Sequence, residues 1–569
     1  MNSNYLSLAI CLVFIASCGT ESNLSGKRSK RGETPKGDER VSKLLSSGEL
    51  GEVEFNNWHN LDLEKSDLFG VSTDKAYSDF QLKQNAEVIV AVIDSGVDYL
   101  HEDLKDVMWV NDKEIPNDGI DNDGNGYIDD IHGWNFLGGA DGRNIDAETL
   151  EETRIYRRLL AKMQNGEILT SEEDTLFVEV RDMVEDELKY FKDLLNMGKS
   201  DQKLLTELKT KLKVLTGITL EDTKEAILGI TSTENEVLEI KKDLLNLWNR
   251  NGSTGFARII RVIDFASYYV DYGYNVDFDP RSDIAKDDPS DFSDKNYGNN
   301  DVKGSDSSHG THVSGIIAAK RNNGIGMNGI ANNVKIMALR AVPNGDERDK
   351  DIALAVRYAA DNGAKIINMS FGKKFSPYKS EVDKAFKYAA SKGVLLVHAA
   401  GNDARNTDKG DHNYPNTYIK DGFGVLQVNS IPNWIEVGAS TRFNNINLVA
   451  EFSNYGNENV TLFAPGHKIY STTPEDTYAA YNGTSMACPV TAGVAALLMS
   501  EYPTMIGSEA KDLLLKSVVK PNMDVRLPSD DSRTPDFRLP IPFANLSTTD
   551  GVLNAYNVIE LAKFLAETK

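Results

Sequence analysis

Cysteine is nearly missing from this 569-residue chain, which has only Cys11, Cys18 and Cys488. So few thiols exclude a disulfide framework, and the fold must stand on packing alone. Positive charge is also in deficit, with 62 Lys and Arg against 86 Asp and Glu and a net charge of -24. Phosphate-tracking nucleic-acid binders need a basic surface, so that class is excluded, and so is attraction to an anionic membrane by protein charge. Long apolar runs are scarce as well. The best one, "LSLAICLVFIAS" at residues 6–17, is short for a membrane span, and no later segment reads as transmembrane. What is present, 40% hydrophobic residues, is ample for a globular core.

That first run ends in small residues directly before Cys18, the pattern of a secretion signal. The tetrapeptide "IASC" resembles the bacterial lipobox, which implies cleavage before Cys18, acylation of that cysteine and an exported protein held on the cell envelope by its N-terminal lipid. "MNSNY" departs from the usual signal in carrying no Lys or Arg. Residues 19–54 are polar and aperiodic and read as a tether. Cys488 is then the single free thiol of the mature chain.

From "EVIVAVIDSG" onward, short β-branched runs alternate with helical stretches: "EVIVAVID", "NVKIMALRAV", "AKIINMSFG" and "GVLLVHAAGN" are separated by "RDKDIALAVRYAADNG" and "SEVDKAFKYAASKG". This alternation predicts an α/β fold, a doubly wound and mostly parallel sheet with helices on both faces. Residues 147–252 interrupt it with an all-helical insertion, leaving 55–146 and 253–569 as the two parts of the main domain. In the insertion, Leu176, Phe177, Val180, Val184, Leu188, Phe191 and Leu195 recur at helical spacing, with Ser171 expected as N-cap and Gly198 as the stop. Thr233 and Glu236 are spaced as a capping box, and Gly198, Gly217 and Gly252 are expected to break the run into hairpins.

Near the other end, "NGTSMACPVTAG" places Ser485 before an apolar, Ala-rich run in which Pro489 fits the first turn of a helix. A serine at a helix N-terminus lies where backbone N–H groups favour developing negative charge, but it needs a base to become a nucleophile. His309 in "SSHGTHVSGIIAAK" is the candidate. His312 would pair with it only as a metal ligand, and no third ligand accompanies them. An imidazole base needs an orienting carboxylate, and Asp94 ends an apolar strand in "VAVIDSGVD".

"VAVIDSGVD", "HGTHVSGIIAA", "AAGND" and "NGTSMACPVTAG" together resemble the four hallmark segments of the subtilisin-like serine proteases, in that family's order. The resemblance covers roughly Trp58 to Pro489. It implies a serine endopeptidase acting on peptides or proteins, with Asp94, His309 and Ser485 as triad and Asn402 as oxyanion donor. "NMSFG" resembles the family's substrate-lining strand, which implies that Ser370, Phe371 and Gly372 pair with the substrate backbone. Cys488 reads as a small buried residue. No cofactor is implied for catalysis. The alternative is a catalytically silent, surface-anchored binding protein on the same fold.

One acidic loop stands apart. In "NDGIDNDGNGYIDD", Asp121, Asp123 and Asn125 alternate before Gly126, with Asp129 at the ninth position of an EF-hand-like register; His132 occupies the place of the bidentate glutamate. An irregular calcium loop is expected, since carboxylates this dense repel one another without a cation.

Overall fold

The computed structural model describes residues 56–409, 413–420, 426–428, 431–529 and 539–568. Cys18, the signal and the tether lie outside the described residues. The chain divides into two compact units; among the described residues, one comprises 56–146 and 280–568 and the other Ala147–Asp279.

The larger unit is built on seven parallel strands: β1 (Val88–Asp94), β2 (Gly133–Asn135), β3 (Val334–Arg340), β4 (Ile366–Met369), β5 (Leu395–Ala399), β6 (Trp434–Ser440) and β7 (Leu462–Pro465), in the order β2-β3-β1-β4-β5-β6-β7. Alternation along β1 sends Val88, Val90 and Val92 into one core and Ala91 and Ile93 into the other. The first core is completed by the helices Ser308–Ala318 and Thr484–Glu501, the second by Asp349–Asp361 and Lys379–Ser391. Both faces are thus covered, as a parallel sheet requires.

Chain order decides where a site can form. From β1 the chain builds β2 and β3 on one side, then crosses to build β4 and β5 on the other. The carboxyl ends of β1 and β4 therefore flank a topological switch point, where the connecting loops part and leave a crevice. Asp94 and Ser370 stand at those two ends.

The second unit is all-helical, as expected, but it runs to Asp279 rather than 252. Gly252 opens only a single turn of 3-10 helix, and the helix Ala257–Tyr268 follows and packs back within the unit. Gly198 does not stop its helix. Ser171–Thr216 is continuous for 46 residues, and the glycine inside it leaves room for Ile263, whose Cγ1 would lie within 2.9 Å of a Cβ at Gly198. Its N-cap is Thr170, one residue earlier than Ser171, in a full capping box with Glu173; Gly217 does close it, in the left-handed conformation. The Thr233–Glu236 box does not form, since the helix Asn235–Arg250 starts from Glu234 without a side-chain cap.

Candidate active site

β1 carries Asp94 to the switch point, where the carboxylate is only 2% exposed. A carboxylate buried there requires partners. Asp94 Oδ1 accepts the Ser95 N–H at 2.8 Å and His309 Nδ1–H at 2.8 Å. The acceptor-only carboxylate fixes the tautomer, leaving Nε2 as the free base nitrogen. Close approach of the two elements depends on Gly310: a Cβ on it would meet the Gly96 carbonyl oxygen at 2.1 Å and Asp94 Cβ at 3.1 Å. On the His309 ring, burial pulls the pKa down, but the Asp94 charge and hydrogen bond, with the Asp306 charge, outweigh it and hold the pKa above the ordinary value.

His312 takes no part. Its ring is buried, stacks on Tyr481 at 4.1 Å between centroids, and bonds the Ala479 carbonyl through Nε2 at 3.1 Å. Burial drives its pKa down to about 3, so it is a neutral packing residue.

Ser485 is the second residue of the helix Thr484–Glu501, so its backbone N–H is one of the donors that no helical carbonyl reaches. Pro489 is not in the first turn as expected; it is the sixth helical residue. It therefore lacks the N–H that the Ser485 carbonyl would accept, and that carbonyl takes the Ser370 hydroxyl instead, at 2.9 Å. In return the Ser485 hydroxyl donates to the Ser370 carbonyl at 3.2 Å. Among the described residues no hydrogen bond joins Ser485 to His309; such bonds commonly tighten only when substrate binds.

Thr484 holds Asn402. Its N–H and Oγ1–H both donate to Asn402 Oδ1, at 2.8 and 3.0 Å, which turns the amide nitrogen outward as a donor beside Gly483 and Ser485. The Asn402 loop is itself gathered by Asn454, which accepts from the Asp403 and Arg405 N–H groups and donates to the Ala400 carbonyl. Sequence reading missed both supports. Thr484 adjoins the serine but does not cap its helix, whose N-cap is Gly483, and neither it nor Asn454 carries a local signal.

Asp94 is thus bonded to His309, Ser485 opens a buried helix, and Asn402 is aimed at its N-terminus. A family model described as the subtilase family matches residues 85–539. The chain belongs to the subtilase family. This subtilase is similar to a thermophilic serine proteinase from Bacillus sp. (strain AK1), 40% identical over 212 residues, 37% of this chain and 46% of that protein. It is 38% identical over 211 residues to subtilisin NAT from Bacillus subtilis subsp. natto, 37% of this chain and 50% of that one. A cell wall-associated protease from Bacillus subtilis (strain 168) is 36% identical over 223 residues, 39% of this chain and 22% of its own length. The subtilase thus spans about half the length of the first two relatives.

Beside this site, Cys488 is fully buried, its thiol directed at Asn368 Oδ1 and the Val397 carbonyl, with burial pushing its pKa far up. It is packing, as expected. In the acidic loop, Asp121 and Asp123 converge with Glu114, each offering an oxygen within 4.8 Å of the others. Glu114 was not expected, lying before the motif. All five side chains also accept N–H groups of the loop: Glu114 from Asn122, Asp123 and Asp129, Asp121 from Asn125 and Gly126, Asp123 from Asn125, Asn125 from Tyr127, and Asp129 from Asp118 and Gly119. Among the described residues no helix is long and apolar enough to cross a membrane.

Proposed function

We propose that this subtilase is a serine endopeptidase hydrolysing peptide bonds in peptides or proteins. The observation that carries the reading is the Asp94–His309 hydrogen bond at the end of β1, next to the end of β4 where Ser370 meets Ser485 at a helix N-terminus. His309 Nε2 takes the Ser485 proton as Oγ attacks the substrate carbonyl, and the resulting imidazolium is stabilised by Asp94. The tetrahedral oxyanion is bound by the Asn402 amide and the Ser485 N–H. His309 then delivers its proton to the leaving amine, and water hydrolyses the acyl-enzyme by the same route. Ser370–Gly372 line the cleft and pair with the extended substrate as an added strand.

Removing either proton-transfer partner should be severe: Ser485→Ala and His309→Ala each lower turnover by roughly four to six orders of magnitude, and Asn402→Ala by about two to three, on the scale known for subtilisin. Casein and peptide-library cleavage by purified protein checks this. Proteolysis of wild-type strength in Ser485→Ala overturns the assignment.

The protein is further read as exported and lipid-anchored through Cys18, on the strength of "IASC". The acidic loop is read as a calcium site in which Glu114, Asp121 and Asp123 supply hard oxygen ligands; calcium would offset most of their mutual repulsion and favour the folded state by mass action. A chelator should lower the melting temperature of wild type and leave Glu114→Gln/Asp123→Asn unmoved. Superimposable wild-type curves with and without chelator remove the site.

A further inference from the structure

The ladder between β4 and β5 ends at the pair Met369 and His398, so Phe371 lies beyond the last strand partner. Its carbonyl is not left open. His398 Nε2 donates to it at 2.9 Å, while Nδ1 faces both carboxylate oxygens of Glu436 at 2.9 and 3.1 Å. His398 and Glu436 are direct neighbours in the β5–β6 register, so the two side chains stand together on one face of the sheet. It is the face of Leu396 and Trp434, opposite the one packed by the His309 and Ser485 helices. Trp434 Nε1 donates to Glu436 Oε2 at 2.8 Å and fixes the carboxylate in turn.

The His398 ring is wholly buried, and both its nitrogens face acceptors. Nε2 faces only a carbonyl oxygen, an acceptor, so it carries the hydrogen of the bond to Phe371. Along an extended chain, successive residues present N–H and C=O to opposite edges. Phe371 is tied inward by His398, and Lys373 inward by its two backbone bonds with Tyr414, both 2.8 Å. By that alternation Ser370 and Gly372 are expected to face the other way, and the Ser370 carbonyl does turn away from His398, taking the Ser485 hydroxyl.

We propose that His398 is a positioning residue for peptide binding, which by holding the Phe371 carbonyl inward fixes Ser370 and Gly372 as the edge that receives the substrate backbone. This rests on the endopeptidase reading above. His398 touches neither substrate nor reacting atoms; its effect falls on the binding of extended substrates, which use the edge, and spares a small acyl ester, which needs only Ser485, His309 and the oxyanion donors.

The experiment compares wild type, Glu436→Gln and His398→Leu/Glu436→Gln on a chromogenic peptide of at least four residues and on p-nitrophenyl acetate. The glutamine keeps an acceptor for Trp434 and avoids a stranded charge. Loss of the tether should raise peptide KM about tenfold in the double variant, with kcat little changed. Glu436→Gln replaces the carboxylate that faces Nδ1 with an amide, which loosens the hold on the ring, and should give an intermediate KM. Ester turnover should stay within about twofold in both. Unchanged peptide KM in the double variant, or in Glu436→Gln should the double fail to fold, overturns the positioning role, as does equal loss on peptide and ester. A wild-type protein that cleaves the ester but no peptide overturns the endopeptidase reading instead, and this one with it.

Discussion

His309 is pulled two ways, and the balance sets how the site should answer to pH. Desolvation disfavours the imidazolium, while the Asp94 carboxylate at 2.8 Å and the Asp306 charge favour it and win. On the proposed mechanism catalysis needs the neutral ring, so kcat/KM should fall on the acid side with a midpoint above 6.5, the ordinary histidine value. A pH profile of kcat/KM checks this, and an acid limb at or below the ordinary value counts against it. The linkage to stability has the opposite sense: the imidazolium pair contributes fully below the ordinary pKa and is lost as pH rises through the folded one, so the active form is the less stabilised. At this scale the sequence was informative wherever chemistry demanded a residue type. Asp94, His309 and Ser485 stood out as candidates by residue type and local setting, and Asn402 through the likeness of "AAGND" to a family motif. Thr484, Asn454 and His398 did not, because a hydrogen bond to a distant carbonyl or amide leaves no pattern in the chain.

The helix Thr484–Glu501 shows how an element can be read correctly and its internal logic missed. Its apolar, small-residue composition does predict a buried helix, and Ser485 does sit at its N-terminus. Pro489 lies deeper than the first turn, and the carbonyl it orphans is satisfied by Ser370, just past the end of β4 and more than a hundred residues away. Ser370→Ala should therefore leave a buried acceptor unmet and cost about 1–3 kcal/mol. Pro489→Ala supplies the missing N–H within the helix. The double variant should accordingly be more stable than the sum of the single effects by roughly 1 kcal/mol, measured from denaturant midpoints in a double-mutant cycle. Strict additivity would mean that the two residues do not share that carbonyl. The insertion repeats the lesson: periodicity predicted its helices, but Gly198 was misread as a stop because the tight contact with Ile263 is tertiary.

For the molecule as a whole, the doubly wound parallel sheet and the separate helical unit were both visible in the change from strand–helix alternation to uninterrupted helices, while the boundary at Asp279 was not, since the turn at Gly252 looks locally like an end. Whole-molecule behaviour also carries the anchoring proposal. Acyl chains contribute about 0.8 kcal/mol per buried methylene, and several would hold the protein on a membrane almost irreversibly. Wild type should enter the detergent phase on extraction and Cys18→Ser the aqueous phase; wild type in the aqueous phase removes the anchor.

The core also ties together the two places where its chain departs and returns. Arg143, shortly before the departure, bonds the Asp283 carboxylate at 2.6 Å shortly after the return, and the Asn344 N–H holds the Asp146 carbonyl at 2.9 Å. What lies between is met by the core as a closed loop with fixed ends. Each doubling of such a loop adds only about 0.6 kcal/mol of closure entropy. The core therefore has an exchange port: a helical unit of another length, or an unrelated domain with adjacent termini, should be accepted at Asp146 and Pro280 with nearly the same stability.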